Sequence, residues 1–207
     1  MALGLPWSMT DAGPTTRARP RRRSRARGIV ALVVVVALVG AGIIAVWAAL
    51  SGARDKGYLG GPVVVPVEYR SILKKAAKRC DAVPLEVLAA QISAESGWDP
   101  RAQSAAGAQG IAQFMPEVWK QYGVDGNGDG VADVWDPEDA IHSAAELNCL
   151  NRKLVRGASG NRLHNTLAAY NSGYASVLKY DGVPPFPETQ AYVAKILDTA
   201  RTIVVRP

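Results

Sequence analysis

From Gly28 to Leu50 the chain runs through apolar and small residues without a single charge. A helix crossing a hydrocarbon core needs about 20 such residues, so the pattern predicts one transmembrane span over 28–50. The stretch that follows carries glycines and prolines and no helical period, and it reads as a linker over 51–66. From Val67 the spacing of apolar positions turns helical and stays so. Helices are predicted near 67–80, 84–96, 110–122, 137–156, 161–170, 172–180 and 187–202. The fourth is the best signalled: Asp136 can cap it, Pro137 suits its first turn, and Glu138 and Asp139 favour its positive end. Strand-like alternation is confined to the short "VVVPV", and no repeat of solenoid length is present. The expected fold is all-α, a single helical domain over 67–207 on an N-terminal transmembrane helix.

Charge changes the picture at one end only. Seven arginines crowd into "RARPRRRSRAR", residues 17 to 27, directly before the span. Basic residues flanking a span stay on the cytoplasmic side, which makes 1–27 a cytoplasmic tail and puts everything after residue 50 outside. A cleaved signal peptide is the rival reading. Its apolar region is usually about 7 to 15 residues, shorter than this one, and "SGA" at 51–53 is the one plausible cleavage site. Setting the seven arginines and Asp11 aside from the 24 basic and 18 acidic residues leaves 17 of each from residue 51 onward. The exported part therefore has no bulk attraction for a polyanion, and nucleic acid is not an expected partner.

Cys80 and Cys149 are the only cysteines, and both fall in the exported part. Tyr69, Ile72, Leu73, Ala76 and Cys80 share one helical face, as do Ile141, Ala145 and Cys149, so each thiol is expected to point inward. In an oxidising compartment a disulfide between them is expected, with free buried thiols as the alternative.

Candidate chemistry centres on "LAAQISAESGWDP", residues 88 to 100. Leu85, Leu88, Ile92 and Glu95 follow Pro84 at steps of three, four and three, which extends an apolar stripe to a carboxylate. Such a group near an apolar face, at the negative end of a helix, has its charged form disfavoured twice, as a general acid requires. The competing reading is a helix that frays at Ser96-Gly97 and leaves Glu95 in water. Close by, "SAAGAQGIAQFMP" (104–116) holds Gly107, Gly110 and Gln113, a set that can line a cleft or form a tight interhelical turn. It lacks the Lys-Ser/Thr ending of a phosphate loop. In "LAAYNSGYASV", Tyr170 and Asn171 precede a turn and can face either a pocket or the core. A separate loop, "DGNGDGVADVWD", sets Asp125, Asn127, Asp129, Asp133 and Asp136 at positions 1, 3, 5, 9 and 12, with Gly130 at position 6. This is a calcium-loop pattern with Asp for the final Glu, and the carbonyl of Val131 would complete the shell; a plain polar turn is the alternative. His142 and His164 are the only histidines and have no zinc-ligand spacing, and no Ser, Cys and His set forms a nucleophile motif.

Taken together, "AESGWDP", "SAAGAQGIAQFMP", "AAYNSG" and "ETQAYV" resemble, in order and spacing, the lytic transglycosylase domain, whose fold is similar to goose-type lysozyme. The resemblance covers roughly 67–202. It implies Glu95 as catalytic acid, with Ser96 completing a Glu-Ser signature and Ser104 helping to orient substrate. It further implies a cleft loop of Gly110, Gln113 and Met115, an Ala-Tyr-Asn motif at Tyr170 and Asn171, and an aromatic of the last helix at Tyr192. The family's Gly-Leu-Met-Gln stands here as Gly-Ile-Ala-Gln, residues 110 to 113, so Ala112 replaces a methionine that bears on sugar contact. The implied reaction is cleavage of the bond between N-acetylmuramic acid and N-acetylglucosamine in peptidoglycan glycan strands, giving a 1,6-anhydromuramoyl product without an organic cofactor. The chain is then a single-pass protein of the cell membrane with its catalytic domain outside. A hydrolase of the same fold using Asp99 as second carboxylate, and a non-catalytic glycan-binding tether, are the alternatives.

Overall fold

The computed structural model describes residues 63–205. The expected tail at 1–27, the span at 28–50 and most of the linker lie outside the described residues. Among the described residues no helix is long and apolar enough to cross a membrane. Among the described residues seven helices follow one another: α1 (Val67–Ala77), α2 (Leu85–Ser96), α3 (Pro116–Tyr122), α4 (Pro137–Leu154), α5 (Arg162–Ser172), α6 (Tyr174–Lys179) and α7 (Pro187–Ala200). No strand is formed among the described residues, in keeping with the all-α expectation; the extended pieces are isolated bridges only.

α2 is the centre of the domain. Val87, Leu88, Ala89, Ala90, Gln91 and Ile92 are buried in succession, so the helix is enclosed on all sides rather than along one stripe. α7 and α1 pack against it, α4 packs against α1 and α5, and α5 packs against α6 and α7. Leu73, Leu88, Ile92, Ile141, Leu167 and Ile196 are fully buried where these helices meet. The core also reaches back beyond Val67. Val65 is buried, and its N–H donates to the carbonyl of Val204 at 3.2 Å while Val204 N–H donates to Val63, so the two ends of the domain lie side by side.

Two expected helices differ in extent, each for a local reason. The helix expected from 110 begins only at Pro116, because Gly110 and Gln113 both adopt positive φ (73° and 52°), which no α-helix continues through. The first helix ends at Ala77, where tight bonds from Lys78 N–H to Lys75 and from Arg79 N–H to Ala76 close its last turn. Cys80 therefore lies beyond that helix and is half-buried, not part of its inner face. Asp136 caps α4 as expected, one carboxylate oxygen accepting from the N–H groups of Glu138 and Asp139 at 2.8 and 3.1 Å.

Cys80 and Cys149 form the expected disulfide, with Cα atoms 6.1 Å apart and 69 residues between them in sequence. It ties the turn after α1 to the buried side of α4. Closing a loop of that size restricts the unfolded chain by about 4 kcal/mol on the chain-entropy account. Urea denaturation of residues 51–207 is expected to show that loss when both cysteines are replaced by alanine, with a steeper denaturant dependence because the uncrosslinked unfolded chain exposes more surface.

Candidate active site

The backbone at the end of α2 decides where Glu95 points. Gly97 adopts the left-handed conformation (φ 63°) and stops the helix, its N–H donating to Ser93 at 3.0 Å. Trp98 follows at φ 76°, a strained value for a bulky residue, with its ring stacked on Tyr69 at 5.9 Å. Glu95 so remains in the last helical turn and faces α7 instead of fraying into water. There the hydroxyl of Tyr192 donates to Glu95 Oε1 at 2.6 Å. Behind it, Gln91 Nε2 donates to Tyr192 Oη at 3.2 Å, and Asn148 Nδ2 donates to Gln91 Oε1 at 2.7 Å.

Electrostatics at this carboxyl are a contest. The residue keeps some exposed surface, but its carboxyl is densely surrounded by protein, and loss of hydration pushes its pKa up to about 7. The hydrogen bond from Tyr192 and the positive charge of Lys195 pull the other way and do not prevail. Burial and the nearby carboxylate hold the phenols of Tyr170 and Tyr192 well above their usual range, so both stay neutral donors.

Tyr170, on which the charge of Glu95 bears, connects the site to the loop from Ala102 to Met115. Gly110 is obligatory there: a Cβ would stand 2.1 Å from the carbonyl oxygen of Val134, and φ is 73°. Gln113 donates both amide hydrogens inward, to Ala102 at 3.1 Å and Gly110 at 2.8 Å, so only its carbonyl oxygen can serve a ligand. Tyr170 donates to the carbonyl of Ala112 at 2.9 Å and meets Phe114 edge-on, pinning the loop to α5. Met115 is exposed at the start of α3.

Other expected residues are placed less directly. Ser104 Oγ accepts from Ala108 N–H at 3.0 Å and closes its own turn. Asn171 accepts from Thr189 at 2.7 Å, which joins α5 to α7. Ser96 Oγ is buried with no hydrogen-bond partner. Asp99 is exposed and accepts from Arg101 N–H at 2.8 Å, in the turn that bears electrostatically on Tyr69. Gln91, Asn148, Lys195 and Thr189 were missed by the sequence reading. For Gln91 a signal existed, since it precedes Glu95 by four residues and shares its helix face.

In the acidic loop Asp125 accepts from the N–H groups of Gly128, Asp129 and Gly130, Asn127 from Asp129, and Asp129 from Val131. The three backbone bonds hold the Asp125 carboxyl below its usual range. Asp133 accepts from Trp135, and Asp136 spends one oxygen on the α4 cap. Fully buried Asp139 fixes the loop from inside, accepting from Gly126, Asn127 and Asp133. These Asx turns offer the oxygen chemistry that calcium takes. In this arrangement they are turned to backbone amides, and no three acidic, His or Cys side chains converge at metal distance among the described residues.

The sequence profile of the transglycosylase SLT domain matches residues 72–193, more than half the chain, and the chain belongs to that family. It is 38% identical over 109 residues to membrane-bound lytic murein transglycosylase F of Maricaulis maris, covering 51% of this chain and 22% of that protein. It is 31% identical over 159 residues to membrane-bound lytic murein transglycosylase D of Escherichia coli, covering 70% and 33%. The chain thus spans about a third or less of the length of these curated relatives. Among solved structures, the 70 kDa soluble lytic transglycosylase of Escherichia coli superimposes with TM-score 0.51 at 24% identity, over 65% of this chain and 24% of that one, which shows a shared fold.

A raised carboxyl pKa has a cost in stability. With a folded value of about 7 against 4.5 unfolded, the folded state binds more protons across that window, so stability falls as pH rises from 4.5 to 7. Glu95→Gln removes the burden. It is expected to melt like the parent at pH 4 and a few degrees higher at pH 8, as read by calorimetry at both pH values.

Proposed function

We propose that the domain is a peptidoglycan lytic transglycosylase in which Glu95 serves alone, first as acid and then as base. Its proton passes to the oxygen linking N-acetylmuramic acid to N-acetylglucosamine, and the sugar bond breaks. The resulting carboxylate takes the proton of the muramoyl 6-hydroxyl, whose oxygen closes on the anomeric carbon. The observation that carries this reading is a half-buried carboxyl with a pKa of about 7 at the end of α2, held by Tyr192 and linked through Tyr170 to the Gly110–Gln113 loop. A hydrolase of this kind needs a second carboxylate about 5 to 9.5 Å away to act as nucleophile or to hold water. Asp99, the nearest acid in sequence, is exposed and engaged with Arg101, which favours the intramolecular route. A bare glycan tether has no use for a buried acid.

Gln113 Oε1 and Tyr170 then face the N-acetyl groups, with Ser96, Ser104, Gly110, Met115, Asn171 and Tyr192 completing the substrate cleft. No organic cofactor enters. Residues 28–50 anchor the chain in the cell membrane with the N-terminus inside, and the domain works on glycan strands outside. The loop 125–136 binds structural calcium through Asp125, Asn127, Asp129, Asp133, the carbonyl of Val131 and the remaining oxygen of Asp136.

Mass spectrometry of muropeptides released by residues 51–207 is expected to find muramoyl ends lighter by one water. Glu95→Gln is expected to lose turnover by about 10³-fold or more yet still sediment with sacculi, while Asp99→Asn keeps its activity. Reducing muramic ends together with an inactive Asp99→Asn would mark a two-carboxylate hydrolase. Chelation is expected to lower the melting temperature and calcium to restore it, with Asp129→Ala abolishing the difference. An identical melting curve with and without chelator leaves the loop a polar turn.

A further inference from the structure

The chain Asn148–Gln91–Tyr192–Glu95 crosses three helices, and each donation in it runs toward the carboxylate. Gln91 and Asn148 are both fully buried, and Gln91 is the one polar side chain in the buried run of α2. A buried amide must find partners or destabilise the fold, so its place in the central helix calls for a reason beyond packing.

We propose that Gln91 and Asn148 are positioning residues for the acid, a pair of amides that compel Tyr192 to donate its hydroxyl proton to Glu95. The inference rests on the reading of Glu95 given above and adds the device that tunes it. A tyrosine hydroxyl has one hydrogen and can aim it at either neighbour. Gln91 Nε2, itself a donor, fills the acceptor side of Tyr192 Oη and leaves Glu95 as the direction for the hydrogen. Gln91 could flip and present its oxygen instead, which would draw the hydroxyl away from Glu95. Asn148 opposes the flip, because its Nδ2 donor faces Gln91 and meets the oxygen; Asn148 Oδ1 has no hydrogen-bond partner, so reversing Gln91 requires Asn148 to turn with it. Donation also polarises along such a chain, so Tyr192 becomes a stronger donor than it is alone.

The consequence falls on the charged form of Glu95, which exists between breakage of the sugar bond and capture of the 6-hydroxyl proton. Other groups bearing on Glu95 are Lys195 from α7 and Tyr170 from α5; α1, also packed on α2, brings Tyr69, whose ring lies on Trp98. Against that fixed background, removing the relay leaves Glu95 protonated to higher pH.

The test is the alkaline limb of the kcat/KM profile, measured on sacculi with residues 51–207 for the parent, Tyr192→Phe, Gln91→Met, Asn148→Ala and the double variant Gln91→Met/Tyr192→Phe. Tyr192→Phe is expected to move the limb upward by about 0.5 to 1 pH unit. Gln91→Met and Asn148→Ala are expected to move it the same way by less, and the double variant to match Tyr192→Phe alone. Asn148→Ala, the milder truncation, carries the test if Gln91→Met does not fold. Variants that lower activity with the limb unmoved, or effects of Gln91→Met and Tyr192→Phe that add, overturn the proposal and leave the amides a purely structural role. Glu95→Gln, run in parallel, separates the two levels: if it keeps turnover the acid reading fails and the relay with it, and if it is inactive while the limbs stay put only the relay fails.

Discussion

Enclosure of α2 on every side is the constraint from which the rest of the domain follows. A helix with Val87 to Ile92 buried in succession cannot be a surface element, so α1 and α7 must close on it. Whatever ends that helix is brought out of water with it. Glu95 stands where the fully buried run gives way to half-buried positions, and its carboxyl is short of hydration without being sealed off. Desolvation outweighs the Tyr192 bond and Lys195 there, because a lone donor and an exposed lysine recover only part of the hydration lost.

The shape of the 102–115 loop depends on backbone, not on charge. Gly110 lies so close to the carbonyl of Val134 that no side chain fits between them. Gln113 then accepts a left-handed conformation and holds it with two hydrogen bonds to its own loop. The contact at Val134 belongs to the segment leaving the acidic loop, and buried Asp139 ties that loop to α4. The 102–115 loop, the acidic loop and the start of α4 are therefore one continuous piece of packing. Tyr170 fastens the 102–115 loop to α5 through Ala112, which is why a small residue at 112 leaves the polar frame unaltered.

The disulfide adjoins this chemistry in sequence, Cys149 following Asn148, but it acts differently. It joins the turn after α1 to α4, two elements that also pack against each other. Its work is on the unfolded chain, whereas the interactions around Glu95 select among arrangements of the folded one.

Much of this was legible in the sequence, for identifiable reasons. Helical periods located α1, α2, α4 and α7, and the Asp136-Pro137 start of α4 was readable because capping is local chemistry. Glu95 could be singled out because a carboxylate continuing an apolar stripe is rare, and the cysteine pair because a chain with two cysteines offers each one possible partner. Other features were not legible, since they depend on residues distant in the chain. The late start of α3 follows from positive φ at Gln113, which rests on bonds to Ala102 and Gly110. The half-buried position of Cys80 follows from where α1 stops. Sequence by itself determined the helices, the acid and its motifs, because these are set by neighbours three or four residues away. Only the tertiary structure decided which groups face that acid: Tyr192, Gln91 and Asn148 meet because α7 and α4 bring to α2 partners separated from it by 101 and 57 residues.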